Sequence, residues 1–579
     1  MKVGGEDVPR EHHLVAATVT KTANRVASAR LVYSDGSASQ GNFALASAET
    51  FAPGSEIEIL AGPNDEPVSL FKGIVVRQSI KVREKGGSQL VVDCRHAAFK
   101  LTVGRKNACH FDRKDSDVME SLLQAAGLTA DVEATTTSHP QLVQYRSTDW
   151  DFLLTRAEAN GKLVLTNDEK VTVKAPASGK SVVTLAFGAT ILELHAQIDA
   201  RLQFSAVKSV TWDAAEQALV ECEAADPGVT GPGNTSTDDL AAVAGLSSYE
   251  LRHSSLDKDE AQAWADAAWL KSKLSKVSGT VKCIGLPTVN VGDVVTLAGL
   301  GDRYGGDVLV TGVRHDMTPG EGFRTHVAFG GVERFAAEEE RSFSAPRAGA
   351  LLPSAGGLSI GKVVSNEDEA GEHRVRVRLP LVDPSGDGVY ARVASPDAGE
   401  ERGFFFRPEV DDEVVVGFLD DDPRRPVILG MLHSSAKPAP LTGSDDNHEK
   451  VYQSRSKMRI YLNDDKCILL LETPGGNKIT MSDEDKGIKI EDANGNVIAL
   501  DADGVRIESA KAFALKAGAE VKMEASTSLE AKSGTEAMIE AGTALSAKGG
   551  TELKLEGASG AELSSSAATA IKGSQIKLG

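Results

Sequence analysis

His12 and His13 are the first histidines along the chain, a residue type that could hold a metal ion. A zinc site needs ligands that converge, whereas neighbouring residues on a strand point to opposite faces, and no partner follows four residues on. The pair reads as solvent-facing. His110, Asp112, Asp115 and Ser116 contain the parts of a base-activated hydroxyl nucleophile, but no Gly-x-Ser-x-Gly elbow would present Ser116, so catalysis is not expected there. Asp420-Asp421-Asp422 could ligate calcium. Followed at once by Pro423 and Arg424-Arg425, the run reads instead as a turn between strands in which arginines pair with the aspartates. Gly299, Gly301, Gly305 and Gly306 lie between strand-like runs and lack the Gly-Lys-Ser/Thr of a phosphate loop. Trp150 and Phe152 fall on a helical pattern and read as core rather than as a sugar platform. No catalytic residue, metal site or cofactor is expected.

The bulk chemistry agrees with a chain that assembles rather than catalyses. Net charge is −20, with no long basic run, which disfavours nucleic acid as a partner because phosphate binding needs clustered Lys and Arg. Five cysteines, Cys94, Cys109, Cys222, Cys283 and Cys467, form no Cys-x-x-Cys pair, which argues against a disulfide framework or a Cys-rich zinc site. Met1 to Arg10 lacks a basic start followed by an apolar run, so no secretory signal is expected. No stretch reaches the roughly 18 apolar residues of a membrane helix.

The elements that must organise such a chain fall into blocks. Residues 1–345 alternate like strands in Glu56–Leu60 and Gln89–Asp93, with helical spacing at Ser116–Ala126 (N-cap Asp115), Asp149–Gly161 and Asp257–Leu274. Asp226 to Leu246, rich in Gly, Pro and Thr, reads as a loop or internal linker. Residues 346–357 read as a linker between domains. Residues 358–440 hold five strand-like runs, which suits a small closed barrel of the OB type.

From Lys457 onward apolar pairs spaced two apart recur, and after Val505 the spacing locks to eight. One register runs Val505, Phe513, Val521, Leu529, Leu545, Leu553; another runs Ile507, Leu515, Met523, Ile539, Leu555, Leu563, Ile571. Small residues such as Ser509, Ala517 and Gly549 follow, and charged residues such as Glu520, Lys522 and Glu524 lie between. Each octad predicts a short strand with one apolar face that it cannot bury alone. Three chains winding about one axis would complete each rung. Each buried large apolar side chain would contribute roughly 1.5–3 kcal/mol over about nine layers. A coiled coil would need period seven, and a calcium-binding solenoid would need Gly-Gly-x-Gly-x-Asp units.

Particular segments also resemble a known family. Gln144 to Leu154 with Ala157, Glu158 and Gly161, Val291 to Leu297 leading into Gly312–His315, and above all Ala391–Pro396 through Gly403, Pro408–Val410, Asp412–Val414 and Asp422–Val427 to Gly430 resemble VgrG-type spike proteins of contractile injection machines, relatives of phage tail hub and spike proteins. The resemblance covers nearly the whole chain. It implies a mainly β homotrimer: a hub of two β-barrels with a few helices (1–345), an OB-like neck (358–440) and a triple-stranded β-helix needle (441–579, strict octads 505–579). It further implies a spike that caps the tail tube, organises the baseplate and punctures the target envelope. The implied partners are tube and baseplate proteins at the hub, a PAAR-repeat tip protein at Ile576, Leu578 and Gly579, and effector cargo.

Departures from the family pattern sharpen this. Only about 25 residues separate His433 from Arg459, far below the ~50–100 of an inserted enzyme domain. The last histidine is His448, so a histidine-bound iron at the tip is not expected, and the octads run to the last residues with no room for a further effector domain. The expected path is assembly in the cytoplasm without a signal peptide, then delivery in the injection particle on contraction. Type VI secretion, extracellular injection particles and phage tails share the architecture, and the short lead-in and short needle point towards the latter two. The competing reading is a glycan-degrading β-helix enzyme, which would need paired carboxylates along a groove.

Overall fold

A computed structural model describes residues 1–9, 11–62, 66–85, 87–176, 179–331, 335–339, 343 and 346–578. The chain divides into two compact units, Met1–Leu432 and His433–Gly579.

Alternation builds the first unit. Leu14–Thr22 and Ser28–Ser34 send Ala17, Val19, Leu31 and Tyr33 inward and their neighbours outward. They belong to a 13-stranded sheet whose path joins the beginning of the chain to residues beyond 300. Leu14–Thr22 pairs with Gly306–Thr318, and Thr18 Oγ1 donates to Asp316 at 2.9 Å. The sheet surrounds two cores. Leu31, Tyr33, Phe51, Phe71 and Leu90 fill one; Val281, Val295, Val313, Val327 and Phe329 fill the other. The 13-residue strand Gly306–Thr318 serves both, with Val308 and Val310 in the second core and Met317 against the first.

The four longer helices among the described residues are α1 (Asp115–Ala125), α2 (Asp149–Ala159), α3 (Thr237–Ala244) and α4 (Lys258–Leu274). α1 and α2 enclose a third core of Met119, Leu123, Trp150, Leu153, Val164 and Val171 with a three-stranded sheet. Thr148 caps α2 by accepting from the Asp151 amide at 3.1 Å. Two expectations shift. Asp115 is the first residue of α1 rather than its cap, because its carboxylate turns inward to Arg156. Residues 226–246 are not all loop: Ser236 and Asp239 form a reciprocal capping box that starts α3.

The five strands expected after residue 358 all form. Ser359–Ser365, Val375–Arg378, Val389–Val393, Pro426–Met431 and Glu413–Phe418 close, in that order, into a barrel. Val363, Val375, Val377, Ala391, Val414, Val416 and Ile428 fill it. The arginines alternating with these valines face outward, Arg376 lying 4.8 Å over the Tyr390 ring. Gly388 is required at its turn: φ is +80°, and a Cβ would sit 2.5 Å from the Val377 carbonyl oxygen.

The second unit opens as a seven-stranded antiparallel meander from Glu449–Gln453 to Gly504–Glu508. From residue 509 to 578 the single chain forms no strand. A strand exists only when its N–H and C=O groups find a neighbour, and an octad offers none within its own chain. No helix among the described residues is long and apolar enough to cross a membrane.

Candidate functional site

The meander carries an organised apolar surface in the second unit. Its register places Tyr452, Ile460, Leu471, Ile479, Ile490, Ile498 and Ile507 directly opposite one another from strand to strand. Two residues away, Leu462, Leu469, Met481, Ile488, Leu500 and Val505 form a second row in the same way. Period-two alternation puts both rows on one face. The other face carries Arg459, Glu472, Lys478, Lys489 and Glu491, with Lys489 bound to Glu491 at 2.7 Å. Tight turns set this register. Asp492 accepts from the Asn494 and Asn496 amides at 2.9 Å each, which holds its carboxyl down to about 2.

Apart from the half-buried Leu469, both rows remain open to solvent in the single chain, from 36% exposed at Ile479 to 70% at Val505. A contiguous apolar face of this kind marks an interface. Part of it forms a groove of about 730 Å³, lined by Ile460, Leu471, Ile479, Ile490, Ile498 and Phe513. Of the expected needle-core residues, Val505 and Ile507 lie on the last strand of the meander and continue the two rows. Phe513, Leu515, Val521, Met523, Leu529, Ile539, Leu545, Leu553, Leu555, Leu563 and Ile571 follow in the strandless segment, all exposed. At the end Ile576 and Leu578 are exposed, Leu578 at 91%; Gly579 lies outside the described residues.

The chemically suggestive residues of the hub do not gather into a catalytic arrangement. Asp115 is buried and spent on structure: Arg156 donates to it at 2.6 and 3.0 Å, Asn160 donates at 2.9 Å, and His139 Nε2 lies 3.0 Å away. Arg156 also binds Glu260 at 2.8 Å. Burial alone would raise the Asp115 carboxyl, but the Arg156 bonds outweigh it and hold the group below the usual carboxylate range. Ser116 instead lies beside Thr135 and Asp117, and His110 stacks on Phe152. The three aspartates form the expected turn, with arginines from three places: Asp420 meets Arg146 at 3.0 Å, Asp421 meets Arg347 at 3.5 Å, and Asp422 meets Arg424 at 2.7 Å. Trp150 and Phe152 are buried. His13 is exposed and His12 half-buried. Among the described residues no group of three or more His, Cys, Asp or Glu is placed to hold a metal.

Comparison with known families decides the class. A model described as the Alg8 N-terminal domain matches residues 1–319, more than half of the chain. The closed barrel coincides with a match to the type VI secretion system/phage-baseplate injector OB domain over residues 359–433. The last five strands of the meander and the first octads match the phage baseplate V C-terminal trimerisation domain over residues 468–530. The chain belongs to the Alg8 N-terminal domain family, and its later part carries the two baseplate matches.

Solved structures similar to this chain include the 43 kDa tail protein of prophage MuSo2 from Shewanella oneidensis (12% identity, TM-score 0.41, covering 57% of this chain and 96% of that one). Another is the E. coli c3393 protein, a type VI secretion component (12%, 0.37, 74% and 99%). A third is the Francisella PdpA–VgrG complex (10%, 0.38, 83% and 76%). The sequence reading placed residues 441–579 in the needle but named core residues only from Val505 on, leaving out the apolar pairs Ile479/Met481, Ile488/Ile490 and Ile498/Leu500 that share the meander face. Which strand stands opposite which is set by the hairpin turns.

Proposed function

We propose that three copies of this chain close their meander faces and octads around one axis to make a stiff, non-enzymatic needle. The observation that carries the reading is the pair of continuous aliphatic rows left exposed in the single chain, within a segment that matches a trimerisation domain. The central column would comprise Val505, Ile507, Phe513 and the octad residues through Ile571. Carboxylates between them stand beside lysines, as Glu520 with Lys522 at 3.4 Å and Glu530 with Lys532 at 2.6 Å, which supports a solvated outer surface rather than a groove of paired acids. The hub then caps a tail tube and organises a baseplate, and the barrel forms the neck. The needle punctures the target envelope when a sheath contracts, and the work comes from the sheath. Ile576, Leu578 and Gly579 of three copies would give an apolar platform for a PAAR-type tip protein, with effector cargo carried alongside. Assembly would take place in the cytoplasm, followed by delivery in the particle. Light scattering on the purified chain should give a trimer, and its band should persist in detergent without heating. A monomer at micromolar concentration would refute the reading.

A further inference from the structure

The hub bears two exposed faces of opposite charge. The first is the ribbon of Lys106–Lys114 and Ser138–Ser147. It turns His110 and Gln144 inward and leaves Cys109, Phe111, Val143 and Tyr145 outward, Phe111 at 61% and Tyr145 at 68% exposed. Residues 105–114 and 138–147 contain five Lys or Arg against one Asp, a basic island in a chain of net charge −20. Lys106 and Arg146 are engaged by Asp149 and Asp420, whereas the exposed Arg113 and Lys114 meet no carboxylate among the described residues.

The second face belongs to the sheet of Val207–Asp213, Ala218–Glu223 and Tyr249–His253. Its inner side packs on α4, where Ser209 Oγ donates to the Ala261 carbonyl at 2.7 Å. Its outer side carries Trp212 directly opposite Leu219, both exposed, with Glu221 and Glu223 beside them. Residues 211–270 contain twelve Asp or Glu against two Lys or Arg, half of the chain's net negative charge. Lys208 answers Glu221 and Glu250; Glu216 and Glu223 meet no cation among the described residues.

These faces stand at opposite ends of one layered stack. The ribbon packs on α1 and α2, α2 packs on α4, and α4 packs on the inner side of the acidic sheet. One copy therefore cannot bring its own two faces together. A ring with three-fold symmetry needs a heterologous contact, two different and complementary patches on each copy. Opposite charge around an apolar centre is how such contacts select partner and register.

We propose that the basic, aromatic ribbon of one copy docks on the acidic Trp212–Leu219 face of the next, head to tail, so that three such contacts close the hub ring. This rests on the trimeric reading above and assigns the surfaces that make it. The test uses the full chain with Cys467→Ser, which leaves Cys109 as the one exposed cysteine, combined with Leu219→Cys. A short bis-maleimide should then give covalent dimers and trimers on denaturing gels, and no trimers without Leu219→Cys. Adding Glu221→Lys and Glu223→Lys should lower the trimer yield several-fold, and Arg113→Glu with Lys114→Glu should restore it. A trimer by light scattering that gives no link between copies, or a link within one chain, would overturn the proposed contact. A monomer would overturn the trimeric reading, and this contact with it.

Discussion

Replacing Ile490 with Asp would set three carboxylates on the axis that the trimer closes. Ile490 is 41% exposed in the single chain and lies between Ile479 and Ile498 in the first aliphatic row. Full burial of such a side chain is worth roughly 1.5–3 kcal/mol. Completing the exposed two-fifths therefore contributes about 0.6–1.2 kcal/mol per copy and about 2–4 kcal/mol per trimer. Ile490→Ala forfeits most of this. Ile490→Asp forfeits all of it and adds three unpaired charges to a dry core, a far larger penalty. Light scattering and guanidinium titration of the full chain would separate the cases. The Ala variant should stay trimeric with a lower dissociation midpoint, and the Asp variant should fail to assemble at neutral pH and recover partly in acid, where the carboxyls are neutral. Lys489→Ala, on the opposite face, removes only a surface ion pair with Glu491 and should shift the midpoint little. An Ile490→Asp trimer with the unaltered midpoint at neutral pH would refute the closure of this face.

Three further outcomes follow from the first unit. Asp115→Ala should destabilise the hub by about 3–5 kcal/mol in a urea titration, because Arg156 loses its bidentate partner inside the protein. Since the Asp115 carboxyl is held low in the folded chain, its contribution is present above roughly pH 4 and fades as pH falls through the folded value. His315 is pushed down to about 4, first by burial and then by Lys21. The unfolded chain binds that proton from roughly pH 6.5, so hub stability should fall by about 3 kcal/mol between there and pH 4, and His315→Gln should flatten that part of the profile in thermal melts. Gly388→Ala should cost about 1–3 kcal/mol in chemical unfolding of the barrel, since a positive φ and the Val377 carbonyl leave no place for a Cβ.

Local pattern carried much of this protein. The barrel strands were legible because valines alternate with arginines in Val375–Arg378 and apolar runs recur between turns. α2 and α4 were legible from their periodic apolar faces. The three aspartates were legible as a turn because Pro423 and the arginines follow directly.

What the sequence by itself determined is therefore short-range: which residues alternate, which repeat, and which charges stand side by side. Only the tertiary structure decided the pairings between distant segments. Thr18 meets Asp316 across 298 residues, and Arg156 meets Glu260 across 104. Arg156 also reaches Asp115, 41 residues away, and that pairing turned Asp115 from a helix cap into the centre of a buried ion network. The structure also decided that the aliphatic rows of the meander share one face and stay uncovered. The physical reason is that alternation says which side chains share a side of a strand, but ladder register and chain closure depend on backbone partners that no local pattern names.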